Sequence, residues 1–386
     1  MAIVSGLAVA AIVAISGLSL DQNPDAEFLK KGNTTYFAYA EQIVKTCKED
    51  LRCAIDELND LDEKVTKRQT TLDVFLDVVR LYDKSNYACH KTAHHLGMWL
   101  YGYATDLDEA IQYVEMLCGG AVFHGVLQNH FMTQKFNNIP TDEIDVVGLC
   151  PKYEDNPYSI NRWQCIHGIG HGLSVLYDYD VFAAVKRCEE FKPGLEQISC
   201  SKGTFMQNVV YYYETGKGDF NEDIYYPCDQ VDSKYAPACY HYHTSYILKQ
   251  KEAMLRKTFD VCDDVPREEL VRYCYYGLGR QIVSDKKFDF SYAVLCEAGS
   301  NSEYHTECLR GMLMTIVNRN TDPTLGFFFC KSLPDQYKAN CYDGLGQWIR
   351  MLHSTDEGRA EECSKAENLN YFEICMKANL DSLIFL

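Results

Sequence analysis

The sequence predicts an all-α protein: a right-handed α-solenoid of about nine helix-hairpin repeats, each stapled by a disulfide. Three observations predict it: the spacing of the cysteines, the apolar segments around them, and a recurrent glycine. The chain has 386 residues and 18 cysteines. From Cys150 onward the cysteines fall into pairs: Cys150/Cys165, Cys188/Cys200, Cys228/Cys239, Cys262/Cys274, Cys296/Cys308, Cys330/Cys341 and Cys363/Cys375. Partners lie 11 to 15 residues apart, and first members from Cys188 recur every 33 to 40 residues, most often 34. A fixed period of this length is an internal repeat.

Each repeat carries a short apolar segment ending near its first cysteine, a polar loop, and a longer apolar segment opening with its second. The loops hold Pro193-Gly194, Pro266 and Pro334-Asp335, and the second segments, such as Cys341–Leu352, have helical length and periodicity. A short helix A and a longer helix B therefore form a hairpin, with one cysteine on each side of its turn, close enough for a disulfide. Zinc motifs normally space cysteines two to four residues apart, and no Cys-x-x-Cys occurs here, so bridges are expected instead. Cys89 opens a B-like segment and Cys118 closes an A-like one, which predicts a bridge between repeats. Cys47 and Cys53 remain as the last pair. Glycine recurs three residues after the B-helix cysteine (Gly168, Gly203, Gly277, Gly311, Gly344) and again two further on (Gly170, Gly279, Gly346). Glycine costs about 1 kcal/mol against alanine inside a helix, so its recurrence implies close helix packing.

Met1 to Leu20 is an uncharged Ala/Ile/Val-rich run, read as a signal peptide or an N-terminal membrane anchor. Residues 21–70 read as a charged helical linker, and residues 71–386 as the repeat domain. Disulfides persist in oxidising compartments, so the protein is expected to be extracytoplasmic, secreted or anchored by its N-terminal segment. The formal net charge of -18 repels phosphate backbones and anionic lipids, which excludes nucleic acid as a natural partner and leaves the N-terminal segment as the one membrane contact.

On repeat length, A/B helix layout and one cysteine pair per unit, residues 71–386 resemble the Sel1-like and tetratricopeptide class of helical repeats, in particular cysteine-rich exported Sel1-like proteins. The tetratricopeptide Trp/Leu/Gly/Tyr signature is absent, and the cysteine and glycine spacing differs from the Sel1 pattern. The resemblance implies binding of an exported protein or peptide on a concave groove.

Of 11 histidines, nine lie between His90 and His243. Counting from the B-helix cysteine as zero, His95 and His171 fall at position six, and His167 and His241 at position two. Aligning His124-Gly125 with His167-Gly168 puts His124 at position two as well. Positions two and six share one helix face. Position six reads His95, Gln128, His171, Met206, Ser245, Arg280, Met314, Gln347, polar except for its methionines, which suggests a groove lining. His90/His94 and His167/His171 are also i, i+4 pairs, a spacing that lets two imidazoles share a metal. The expected site is a copper or zinc centre of His95, His124, His167 and His171, with His90, His94, His130, His241 and His243 as outer candidates. Alternatively the imidazoles satisfy hydrogen bonds in a crowded, Tyr-rich groove, or the chain is an interaction scaffold without metal. A metal-dependent hydrolase would need a carboxylate base near the metal; no His-Glu-x-x-His and no Gly-x-Ser-x-Gly elbow is present. No catalytic residue is identified.

Overall fold

The computed structural model describes residues 34–48, 50–85, 89–150, 158–284, 289–320 and 322–380; the apolar run of residues 1–20 lies outside them. Among the described residues the secondary structure is helical, with no strand, and no helix is long and apolar enough to cross a membrane. Three helices open the chain: α1 (Thr34–Cys47), α2 (Leu51–Lys64) and α3 (Arg68–Lys84). Then follow α4 (Cys89–Tyr103), α5 (Leu107–Gln112), α6 (Ala121–Phe136), α7 (Ile160–Leu176), α8 (Val181–Arg187), α9 (Leu195–Thr215), α10 (Ala236–Gln250), α11 (Leu255–Asp263) and α12 (Glu268–Ser284). The chain continues as α13 (His305–Asn320), α14 (Thr324–Ser332), α15 (Asp335–Leu352), α16 (Asp356–Cys363) and α17 (Leu369–Lys377).

Helices α4, α6, α7, α9, α10, α12, α13, α15 and α17 each pack on the next in chain order, and short helices flank them. Asp and Ser side chains start several helices: Asp50, Asp106, Ser159 and Asp180 each accept from backbone N–H groups of the first turn. Nine disulfides use all 18 cysteines. They are Cys47–Cys53, Cys89–Cys118, Cys150–Cys165, Cys188–Cys200, Cys228–Cys239, Cys262–Cys274, Cys296–Cys308, Cys330–Cys341 and Cys363–Cys375. Nine intrachain bridges imply an oxidising, extracytoplasmic environment.

The charged segment expected to be a solvated linker is part of the packed body. Ile43 of α1 and Leu58 of α2 are buried, and Asn59 and Asp62 accept hydrogen bonds from Trp99 and Tyr103 of α4. The charges lie on one face of an amphipathic helix whose apolar face is covered, which composition alone does not separate from a linker.

The recurrent glycines explain how the long helices approach. A methyl at Gly170 would overlap the Cys200 carbonyl oxygen, and one at Gly203 would overlap that of His167. The same reciprocal contact joins Gly97 to Val122 and Gly125 to His94, Gly277 to His241, and Gly279 and Gly311 to Cys308 and Tyr276. At these crossings the helices therefore lie backbone to backbone, and the side chains just beside the contacts are pressed together. The array also curves. Helix α13 returns to the turn at Cys118–Gly120, where Gln164 Nε2 donates to Asn318 Oδ1 at 2.8 Å across 154 residues of sequence. Gly119 and Gly120 adopt φ of 66° and 75° there. A side chain on Gly120 would strike Gln164, so the two glycines let α4, α7 and α13 meet.

Candidate metal centre

Curvature turns the polar stripe inward. His124, His167, Lys202 and His241 at position two, and Gln128, His171, Ser245, Met314 and Gln347 at position six, are buried, so these side chains line a closed interior and not an open groove. Within it His94, His124 and His171 each present a ring nitrogen, and these atoms all lie within 4.8 Å of one another. The His124 and His171 rings stack at 4.7 Å, and His94 lies 5.3 Å from His171. His167 adjoins His124 at 4.9 Å and His171 at 5.0 Å, while His90 lies 5.3 Å from His124.

The hydrogen bonds fix the proton on three of these rings. His90 Nδ1 donates to the Cys118 carbonyl oxygen at 2.8 Å. His124 Nε2 donates to Gln164 Oε1 at 3.1 Å, and the amide nitrogen of Gln164 is held by Asn318. His171 Nδ1 donates to Gln207 Oε1 at 2.7 Å. Each of these three rings thus commits its N–H to an acceptor. Its second nitrogen, Nε2 of His90 and His171 and Nδ1 of His124, is buried with no partner, as is Nδ1 of His167. A neutral imidazole with N–H anchored has a lone pair on the other nitrogen, and this is the arrangement found around metal-ligating histidines.

Burial holds all of these rings below the ordinary imidazole range: His171 falls to about 4, and His94, His124 and His167 lie well below 6.5, with neighbouring imidazoles adding to the effect. They are neutral at pH 7, the ligating form. Among the described residues their electrostatic neighbours are one another, His95, Lys202, Arg280 and Arg319, none of them a carboxylate.

No protein-family model, curated protein or solved structure matches this chain. The resemblance to Sel1-like repeats accordingly rests on helix layout and paired cysteines alone.

The structure redraws the expected ligand set: ring nitrogens of His94, His124 and His171 come together, the His167 ring lies beside them, and His95 lies apart. His95 is half-buried and takes no part in the imidazole cluster; Glu214 and Lys91 are its charged neighbours. The reason is register. Counting from Cys89 assumes that this cysteine is equivalent to Cys165, but it bridges to the next unit, and Gly97, which meets Val122 as Gly170 meets Cys200, sets the true frame three residues later. In that frame His94 occupies position two. Of the outer candidates, His90 and His94 join the cluster. His130 instead bonds Tyr101, and His243 bonds the Ile224 carbonyl and stacks on Phe220. His241 is buried between Tyr242 and Tyr276. Sequence reasoning passed over Gln164, Gln207 and Asn318. Their positions relative to the cysteines carry no chemical signature, and Asn318 reaches the site only through curvature.

Proposed function

We propose that this chain is an extracytoplasmic metal-binding protein, a curved solenoid of about nine stapled helix hairpins whose inner helices hold one transition-metal ion on histidine alone. His94, His124 and His171 are the ligands, with His90 and His167 completing or exchanging into the shell. The observation that carries this reading is the approach of ring nitrogens of His94, His124 and His171 to within 4.8 Å of one another, with the N–H of His124 and of His171 tied to Gln164 and Gln207 and the opposite nitrogen of each buried and unpartnered. Leaving one buried polar atom unsatisfied typically costs 1–3 kcal/mol, and a shared cation would satisfy both.

Imidazole suits copper and zinc. The surroundings are neutral or cationic, so an ion of lower charge is less destabilised by burial, which favours copper in its reduced state over zinc. Activating water for hydrolysis calls for a carboxylate base, and the imidazoles have no carboxylate among their electrostatic neighbours, so the site suits holding or delivering an ion better than hydrolysis. The test is a metal titration of the oxidised, chelator-treated chain. Wild type and His95→Ala should bind one equivalent of Cu(I), and His124→Ala and His171→Ala should lose that binding. Equal affinity in all four proteins, or none in wild type, would remove the metal and leave a stapled interaction scaffold.

A further inference from the structure

One disulfide differs from the rest in its surroundings. Cys89 opens α4 and Cys118 begins the turn Cys118–Gly120, and Asp83 of α3 lies with them: a carboxylate oxygen of Asp83 and the two sulfurs all fall within 4.8 Å of one another. Among the described residues no other bridge has a third ligand atom so close. This bridge also differs in access. Both cysteines of every bridge from Cys150 onward are at most 4% exposed, whereas Cys89 is half-buried, an exposure that it shares with Cys53. Contacts that do not depend on the bridge hold the three ligand positions. Asp83 Oδ1 accepts from the Cys118 backbone N–H at 2.6 Å, and His90 Nδ1, beside Cys89 in sequence, donates to the Cys118 carbonyl oxygen at 2.8 Å. Helices α4 and α6 meet backbone to backbone where Gly97 faces Val122 and Gly125 faces His94. Opening the disulfide therefore leaves both sulfurs beside the carboxylate.

Two thiolates and a carboxylate carry three negative charges, which favour a divalent ion over a monovalent one. Zinc takes this kind of mixed sulfur and oxygen shell, with water able to fill the remaining position. We propose that Asp83, Cys89 and Cys118 form a redox-gated binding site for a divalent thiophilic ion of the zinc and cadmium class, closed while the bridge stands and opened by a dithiol reductant. In opening, the bond between Cys89 Sγ and Cys118 Sγ breaks; the dithiol passes two electrons and two protons to these sulfurs and closes to its own disulfide. The ion then displaces both thiol protons and binds between the sulfurs and the Asp83 carboxylate. Its shell of sulfur and oxygen sets it apart from the neutral, all-nitrogen imidazole cluster.

The test follows sulfur, so its outcome is separate from that of the imidazole reading. The full chain is treated briefly with a limiting dithiol, the dithiol is removed under nitrogen, and the opened cysteines are mapped by alkylation and mass spectrometry. Cys89 and Cys118 should open while the bridges from Cys150 onward stay closed. Cadmium ion added to this partly reduced chain should bring up an ultraviolet thiolate-to-cadmium band that the oxidised chain lacks, and should protect Cys89 and Cys118 from alkylation. Asp83→Asn, which retains both thiols, should weaken cadmium binding by more than about tenfold, the loss known for groups that only orient a metal's ligands. Cadmium protection at Cys47 and Cys53 but not at Cys89 and Cys118 would overturn the proposal, as would equal affinity in wild type and Asp83→Asn. So would bridges from Cys150 onward opening first, or loss of helical circular dichroism when Cys89–Cys118 opens. Should Asp83→Asn fail to fold, the protection map of the wild type decides.

Discussion

At the scale of single residues, the interior histidines matter because burial makes them neutral. His171 and His243 fall to about 4 from the ordinary 6.5, and burial is the leading cause in both. Between those values the unfolded chain binds protons that the folded chain refuses, so stability is complete above about pH 6.5 and declines as pH falls toward 4. At 1.36 kcal/mol per pH unit, each such group withdraws roughly 3 kcal/mol by pH 4. Urea denaturation of the metal-free chain at pH 7.5, 6 and 5 should show falling midpoints. His243→Gln, which removes a group outside the cluster, should flatten part of that fall; a profile independent of pH would contradict the assigned burial. Little of this was legible in the sequence. Clustering of nine histidines in one stretch marked the region, but a histidine's protonation state depends on what surrounds it, and Gln164, Gln207 and Ser199 look unremarkable as letters. Lys202 stood at position two of its repeat, beside His167 and His241 in the same frame, and was visible to anyone reading that column as well as column six.

At the scale of helices, glycine is the connector. Alanine normally stabilises a helix by about 1 kcal/mol over glycine. At Gly170 and Gly203 the sign should reverse, because the added methyl meets a carbonyl of the adjoining helix and forces the two apart. Overpacking of this kind typically costs 1–3 kcal/mol. Gly170→Ala and Gly203→Ala should therefore lower the melting temperature, whereas Gly216→Ala, with open space around it at a helix end of φ 73°, should destabilise only through its backbone. A gain in stability at Gly170 would show that the helices are not in backbone contact. The repeat frame itself was readable, because cysteine pairs and glycines both keep a fixed distance from the turn. The frame slipped only at Cys89, whose partner lies in another unit, and there glycine was the better ruler: Gly97 marks the same contact as Gly170. The helices α1 and α2 were misread for a different reason. Their dense charges hid an apolar face that only tertiary contact reveals.

At the scale of the whole molecule, curvature decides what the stripe is. A modest rotation between successive repeats separates an open groove from an enclosed interior, and no local pattern encodes that rotation. Here α13 comes back to the Cys118–Gly120 turn, and Asn318 holds Gln164, which in turn holds His124. Closure of the array and geometry of the site are therefore coupled. Asn318→Leu should weaken Cu(I) binding about tenfold, in the range known for groups that orient a metal's ligands, while Asn318→Asp, still an acceptor, should retain it. Equal affinities in wild type and Asn318→Leu would separate the closure contact from the site.

The central claim, that His94, His124 and His171 share one ion, is tested most directly by X-ray absorption at the copper edge of the Cu(I)-loaded full chain. The account predicts a first shell of nitrogen at about 2 Å with the outer scattering of imidazole rings, lost in His124→Ala. A shell dominated by sulfur or by carboxylate oxygen, or an unchanged spectrum in His124→Ala, would contradict it.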